Sequence, residues 1–225
     1  MFSIAIDGPA GAGKSTVAKR LAADCQMIYV DTGAMYRTIG YYILQQGLNP
    51  KNPEDVIPQL PNIHIGISYS QEGGQRISLN GKDVSQEIRL PEMSMASSNV
   101  SAIPQVRSFL LDLQRNMAKE YDVIMDGRDI GTVVLPNADL KIFLTASPEE
   151  RSRRRFLEYQ AKGLPTSYED TLADVQKRDY QDSHREVAPL KQAQDAVLLD
   201  TTGLNFEQTV EQIKLIIKER FCHVL

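Results

Sequence analysis

Residues 8–15 read GPAGAGKS, and this glycine-rich segment constrains the fold more than any other part of the 225-residue chain. It follows a short apolar run, 2–6, and precedes an amphipathic stretch, 14–24, so it joins a predicted strand to a predicted helix. Glycine permits positive φ angles and close approach to a ligand, and the backbone N–H groups of such a loop point towards an anion at the helix N-terminus. The segment therefore predicts a P-loop that holds the phosphates of a nucleoside triphosphate.

Two side chains of the loop indicate its chemistry. Lys14 can reach the β- and γ-phosphates, and the hydroxyl of Ser15 can ligate Mg²⁺. A turn that only joins a strand to a helix would need neither residue. The predicted triphosphate-binding residues are Gly8, Pro9, Ala10, Gly11, Ala12, Gly13, Lys14, Ser15 and Thr16.

The rest of the chain alternates short apolar runs with longer amphipathic segments, which indicates a buried parallel sheet with right-handed crossovers. We predict an α/β fold of the three-layer P-loop type, with a central five-stranded parallel sheet flanked by helices. The further strands are predicted at 27–30, 122–125, 140–144 and 196–199, and helices at 34–46, 104–119 and 206–221. A further helix should open after Ser147 and Pro148, with Ser147 as its cap.

One region departs from this alternation. Residues 64–70 and 76–84 alternate polar and apolar side chains, and the pairs Gly73-Gly74 and Asn80-Gly81 suit tight turns. This pattern predicts a hairpin or a small antiparallel sheet, which does not fit a parallel core. We therefore place it in an inserted lobe.

Charge and hydropathy narrow the possible partners. The net charge is −4, so no global field favours nucleic acid, and any anion site must be local. No run of about eighteen apolar residues that could span a membrane is present. The N-terminus lacks the pattern of a signal peptide, and a cytoplasmic location is the resulting expectation.

A P-loop alone does not distinguish a GTPase, an ATPase and a kinase. The chain has no Asn-Lys-x-Asp segment, and no Asp-x-x-Gly directly follows the second predicted strand, as a GTPase would need. A kinase for a small acceptor needs a second anion site, and the arginines of this chain can supply one.

Four segments together resemble the bacterial cytidylate kinases. They are DTGAMYR at 31–37, SNVSAIPQVR at 98–107, DGRDIGTVV at 126–134 and RDYQDSHR at 178–185, the last followed by VAPL at 187–190. The likeness runs from about residue 3 to residue 218 with the motifs in the same order, and it includes the inserted sheet. It implies phosphoryl transfer from ATP to CMP or dCMP, with Mg²⁺, by a monomer.

The resemblance also implies roles for individual residues of an acceptor site. Asp129 would accept from the exocyclic amine of cytosine and so reject uracil, which offers a carbonyl there. The phosphate of CMP would be bound by Thr32, Arg37 and Arg128, and the base by Ser98, Arg107 and Asp129. The sugar would be bound by Arg178 and Asp182, and Arg185 would bind the phosphate or the base. From the residues alone, Arg37 could be a solvated surface residue, and Asp182 and Arg185 an ordinary surface ion pair.

Arg151, Arg154 and Arg155 share one face of the helix after Pro148 and resemble the mobile lid of this enzyme class. A closing lid would exclude water, although a solvated basic face is an alternative. The implied catalytic residues are Lys14, Arg128 and Arg154, and Arg151 and Arg155 join the ATP site. The implied division is a core of 1–31, 104–148 and 165–225, a CMP-binding lobe of 32–103 and a lid of 149–164.

The sequence leaves the roles of two carboxylates undecided, and two other functions of the chain are still open at this point. Asp31 and Asp126 end predicted strands near the loop, where they could hold magnesium through water or only order the loop. The chain could instead be a kinase for UMP, AMP or shikimate. It could also be a nucleotide-binding module without turnover.

Overall fold

The computed structural model describes residues 1–69 and 74–221 of the chain. Within those ranges the strands are β1 (Ser3–Asp7), β2 (Ile28–Asp31), β3 (Ile65–Tyr69), β4 (Gln75–Leu79), β5 (Lys82–Asp83), β6 (Val123–Gly127), β7 (Leu140–Thr145) and β8 (Val197–Asp200). The α-helices are α1 (Lys14–Asp24), α2 (Thr32–Gln45), α3 (Pro53–Val56), α4 (Glu92–Ser101), α5 (Pro104–Glu120), α6 (Pro148–Ala161), α7 (Tyr168–His184) and α8 (Phe206–Arg220). Short 3₁₀ turns occupy Ile57–Asn62 and Glu87–Arg89, and a π turn occupies Ile130–Val134.

The central sheet has five parallel strands in the order β2-β6-β1-β7-β8, as the apolar runs predicted. β1 lies in the middle, and the chain first builds the sheet on one side of it and then on the other. A crevice therefore opens at the carboxyl ends of β1 and β6, where ligands bind in open sheets of this kind. The predicted phosphate loop follows β1 and lies at that crevice.

Helices cover both faces of the sheet and complete the predicted three layers. One apolar cluster joins the sheet to α2 and α5, and the other joins it to α1 and α8. Ile4 and Met125 are fully buried in these clusters, because strands covered on both faces carry apolar residues in sequence. The closing helix α8 starts with a complete capping box between Asn205 and Gln208.

The inserted segment forms the predicted small sheet, in which β3, β4 and β5 are antiparallel. Asn80 and Gly81 take positive φ angles of 50° and 85° at the turn between β4 and β5. In the predicted turn between β3 and β4, Gly73 lies outside the described residues. The small sheet is attached to the core through Gln75, whose side-chain oxygen accepts the N–H of Asp31 at 2.8 Å.

The helix α6 begins where the sequence predicted. Ser147 caps it, and its hydroxyl accepts the N–H of Glu150 at 3.2 Å. Within residues 1–69 and 74–221, no helix combines the length and the apolar character needed to cross a membrane.

Candidate active site

The phosphate loop lies against the end of β7. Gly8, Gly11 and Gly13 have φ angles of 150°, 75° and 86°, which side-chain-bearing residues rarely adopt. A Cβ atom on Gly8 would lie 1.9 Å from the carbonyl oxygen of Leu144. Glycine at position 8 is therefore required for the loop to pass this close to the sheet.

Lys14 is buried, and its Nζ donates to the carbonyl oxygen of Pro9 at 2.7 Å, across the loop. Burial lowers the pKa of Lys14 well below its usual range, Arg128 lowers it further, and Asp126 opposes both. An anion that enters beside Lys14 would stabilise its charged form, so the loop is prepared for a phosphate.

Asp126, at the carboxyl end of β6, accepts two hydrogen bonds beside the loop. Ser15 Oγ donates to its Oδ2 at 2.8 Å, and the hydroxyl of Tyr29 donates to its Oδ1 at 2.9 Å. Burial and then the charge of Asp31 raise the pKa of Asp126, and Lys14 acts in the opposite direction.

Asp31 ends β2 and caps α2. Its Oδ1 accepts the N–H of Ala34 at 2.8 Å, and its Oδ2 pairs with Arg37 at 2.8 Å. Burial alone would raise the pKa of Asp31, but Arg37 and Ala34 bring it below its ordinary value. Arg37 is thus held in an ion pair and is only 20% exposed, unlike a freely solvated surface arginine.

Asp182 of α7 lies among three partners at the far end of the crevice. Its Oδ2 accepts from Nε of Arg128 at 2.8 Å and lies 3.7 Å from Arg178, and its Oδ1 accepts from Ser98 at 3.1 Å. Burial would raise the pKa of Asp182, but Arg128 and Arg178 lower it to about 2. Burial and the charge of Arg128 lower the pKa of Arg178 to about 9.

A second buried group surrounds Asp129. Arg107 donates to its Oδ2, and Arg185 lies 3.4 Å from its Oδ1. The guanidinium of Arg107 also lies 5.4 Å from the ring centre of Tyr36, which is buried. Arg185 therefore pairs with Asp129, whereas Asp182 pairs with Arg128 and Arg178. Asp182 and Arg185 thus do not form the simple surface ion pair that their spacing in the sequence allowed.

A single cavity of about 1120 Å³ joins the loop to both groups. Among the described residues, thirteen basic and six acidic side chains line it, so it is strongly positive although the chain is acidic. The assigned residues in its wall are Ala10, Gly11, Ala12, Gly13, Lys14, Ser15, Thr16, Thr32, Arg37, Arg107, Arg128, Asp129, Arg154, Arg155, Arg178, Asp182 and Arg185. Gly8, Pro9, Ser98 and Arg151 are not part of the wall.

Three of the four arginines of α6, the ones that share one helical face, have different environments. Arg154 pairs with Glu150 at 3.0 Å and donates to the carbonyl oxygen of Thr201 at 2.8 Å, and it faces the cavity. Arg155 donates to the hydroxyl of Tyr159 at 2.8 Å and also faces the cavity. Arg151 is only 3% exposed and turns into the protein.

Asp7 is a residue that the sequence reasoning did not single out. Its two carboxylate oxygens accept the N–H groups of Ile130 and Gly131 at 2.8 and 2.7 Å, which fixes the segment that carries Asp129. Burial raises the pKa of Asp7 to about 6 despite these hydrogen bonds. The available signal was an acidic residue at the end of an otherwise apolar strand.

The oxygen donors beside the loop suit magnesium. Mg²⁺ usually binds one or two carboxylates, substrate phosphates and several waters, so a large cluster of protein ligands is not required. Ser15 and Asp126 supply a hydroxyl and a carboxylate in contact with each other. Within the described ranges, no group of three or more histidine, cysteine or acidic side chains forms an all-protein metal site.

Comparison with known proteins gives consistent results. The sequence model of the cytidylate kinase family matches residues 4–219. A cytidylate kinase of Caldicellulosiruptor bescii is 48% identical over 212 residues, which cover 94% of this chain and 93% of that protein. A cytidylate kinase of Streptococcus pneumoniae is 49% identical over 219 residues, which cover 97% and 98%. The solved structure of an uncharacterised protein from Eubacterium ventriosum has the same fold, with a TM-score of 0.52, 12% identity and coverage of 98% and 100%.

Proposed function

The chain belongs to the cytidylate kinase family, and from that premise we propose how its residues transfer the γ-phosphoryl group of ATP to CMP or dCMP. The products are ADP and CDP or dCDP. The observation that supports the residue assignments is the shared cavity, which has the phosphate loop at one end and two buried arginine–carboxylate groups at the other.

The donor end binds ATP. The backbone N–H groups of residues 10–16, at the N-terminus of α1, surround the phosphates, and Lys14 leaves Pro9 to contact the β- and γ-phosphates. Ser15, supported by Asp126, would hold Mg²⁺. When bound, the ion would neutralise charge on the β- and γ-phosphates.

The acceptor end binds the nucleoside monophosphate. Arg37 and Arg128 take the phosphate through bidentate contacts, with Thr32 beside them, and Arg178 and Asp182 take the sugar. Each of these arginines already has a carboxylate partner, so its side chain is oriented before the substrate arrives.

The base lies against the second group. Asp129 accepts from the exocyclic amine of cytosine, and Arg107 donates to Oδ2 of the same carboxylate and so orients it. Arg185 supports Asp129 from the other oxygen. Ser98 assists through its hydrogen bond to Asp182, since it does not line the cavity.

No general base is assigned, because the acceptor is a phosphate that is already anionic at neutral pH. Phosphoryl transfer passes through a loose transition state, so catalysis depends on positioning and charge stabilisation. Lys14, Arg128 and Arg154 supply that charge, and Arg155 joins them as the lid, 149–164, and the lobe, 32–103, close on the core. A cytoplasmic monomer remains the expected form.

A coupled ADP-release assay with ATP and a panel of acceptors tests the function. CMP and dCMP should be phosphorylated much faster than UMP, AMP or shikimate. A preference for UMP or another acceptor would refute the assignment of Asp129 and its neighbours. Wild-type protein without transfer to any acceptor would instead favour a binding module.

Lys14→Ala tests the donor site. The variant should lose most of its transfer activity and keep its far-ultraviolet circular dichroism, because Lys14 provides charge rather than core packing. Lys218→Ala, on the exposed side of α8, is the matched control and should retain wild-type activity.

A further inference from the structure

All three nitrogens of the Arg151 guanidinium group bind other groups inside the protein. Nε donates to the carbonyl oxygen of Ala146 at 2.9 Å, and Nη1 donates to the carbonyl oxygen of Ala10, in the phosphate loop, at 2.8 Å. Nη2 pairs with Oδ2 of Asp179 on α7 at 2.6 Å. The arginine therefore joins three segments that are distant in sequence, and its nitrogens are occupied away from the cavity.

Helix α6 also contacts the loop through its backbone. A Cβ atom on Gly11 would lie 3.0 Å from the carbonyl oxygen of Arg151 and 3.2 Å from its Cβ atom. The first turn of α6 is thus packed directly against the loop, and a movement of Arg151 would be transmitted to Ala10 and Gly11.

Asp179 occupies a position on α7 that connects to the acceptor residues. It directly follows Arg178 and precedes Asp182 by three residues on the same helix. Its Oδ1 is buried and has no hydrogen-bond partner among the described residues, so the pair with Arg151 is the polar contact that its carboxylate makes there. A buried carboxylate oxygen without a hydrogen-bond partner costs free energy, which the ion pair of Oδ2 with Arg151 must offset.

The connection continues from α7 to α4 of the inserted lobe. Arg178 donates to Ser94, Asp182 accepts from Ser98, and Gln181 donates to Asn99 at 3.0 Å. A continuous set of polar contacts therefore runs from the loop, through Arg151 and Asp179, to the helix that flanks the acceptor.

We propose that Arg151 and Asp179 form a positioning pair that fixes α7 and its acceptor residues relative to the phosphate loop, so that donor and acceptor phosphates meet in line. The proposal rests on the proposed function, and it assigns to Arg151 a role through other residues instead of direct contact with ATP. Small displacements of reacting groups cost large factors in rate, so the pair should act mainly on kcat.

Asp179→Ala is the first test. The variant should lose about ten- to a hundredfold in kcat, because helix α7 is released from the loop while each substrate site keeps its own ligands. The dissociation constants of CMP and of ATP, measured separately by isothermal titration calorimetry, should change by less than about threefold. Asp174→Ala, an exposed aspartate on the same helix, is the control and should leave both quantities unchanged.

Arg151→Lys is the second test and covers the case in which Asp179→Ala folds poorly. Lysine keeps the positive charge, but a single ammonium group cannot reach three acceptors in the planar arrangement of a guanidinium. The expected result is again a loss in kcat with little change in either dissociation constant, in protein whose folded fraction is verified by thermal denaturation with substrates present.

Three outcomes would overturn the proposal. The first is an unchanged kcat per folded molecule in both variants, which would leave the pair with a purely stabilising role. The second is a weaker affinity for ATP alone in Arg151→Lys with a silent Asp179→Ala, which would make Arg151 a ligand of ATP. The third is a loss confined to CMP affinity. Wild-type protein without kinase activity would refute the proposed function instead, before any variant is compared.

Discussion

Replacing Asp182 with asparagine is expected to destabilise the folded protein at neutral pH by about 2 kcal/mol. The pKa of Asp182 is lowered from 3.8 to about 2, since Arg128 and Arg178 outweigh the effect of burial. Each pKa unit corresponds to about 1.4 kcal/mol, and almost no discount for solvent applies because the side chain is 3% exposed. Asparagine keeps the shape but removes the charge that the two arginines share.

The pH dependence gives this prediction its sign. A carboxylate with a lowered pKa in the folded state stabilises the protein fully above its unfolded pKa, near 3.8, and this stabilisation is lost as the pH falls through about 2. The stability difference between wild type and Asp182→Asn should thus stay constant from pH 7 to about pH 5 and shrink below about pH 4.

Urea unfolding measures this difference. The chain has no tryptophan, so far-ultraviolet circular dichroism is the suitable signal. Asp174→Asn removes the same charge from an exposed site on α7 and serves as the control, with an expected change within about 0.5 kcal/mol. The reasoning would be refuted by an Asp182→Asn variant as stable as wild type at neutral pH, or by a difference that persists unchanged under acid conditions.

Three other perturbations follow from the geometry. Asp129→Asn should raise the KM for CMP and narrow the preference for CMP over UMP by at least tenfold, as about 1.4 kcal/mol of base discrimination is lost; steady-state assays with both acceptors measure this. Gly8→Ala should abolish soluble folded protein or lower its melting temperature strongly, because its Cβ atom would lie 1.9 Å from the oxygen of Leu144; thermal denaturation is the measurement. Because burial raises the pKa of Asp7 to about 6, the free energy of unfolding of wild type should rise relative to that of Asp7→Asn as the pH falls from 7 to about 4. Urea unfolding over that pH range would detect this difference.

The sheet could be predicted from the sequence because its signals are local. Each of the five strands is a short apolar run bounded by polar residues, and the observed strands Val123–Gly127 and Val197–Asp200 differ from the predicted runs by one or two residues. The phosphate loop could be predicted equally well, since its glycines, Lys14 and Ser15 are close together in the sequence.

The partners of the charged residues could not be predicted from the sequence in this way. The sequence places Arg151, Arg154 and Arg155 on one helical face, but it contains no sign that Ala10 and Asp179 lie beside Arg151. Those contacts depend on how α6 and α7 pack, which is a tertiary property. The same holds for Asp7, whose two hydrogen bonds reach residues more than a hundred positions away.

The cavity is basic, whereas the chain as a whole has a net charge of −4, so the protein outside the cavity is markedly acidic. Such a distribution selects anions by size. A mononucleotide is small enough to leave the repulsive exterior and enter the attractive interior, whereas a polynucleotide with the same phosphate chemistry must remain spread over the acidic surface. We therefore expect the charge pattern to favour mononucleotides over nucleic acid before any base is recognised.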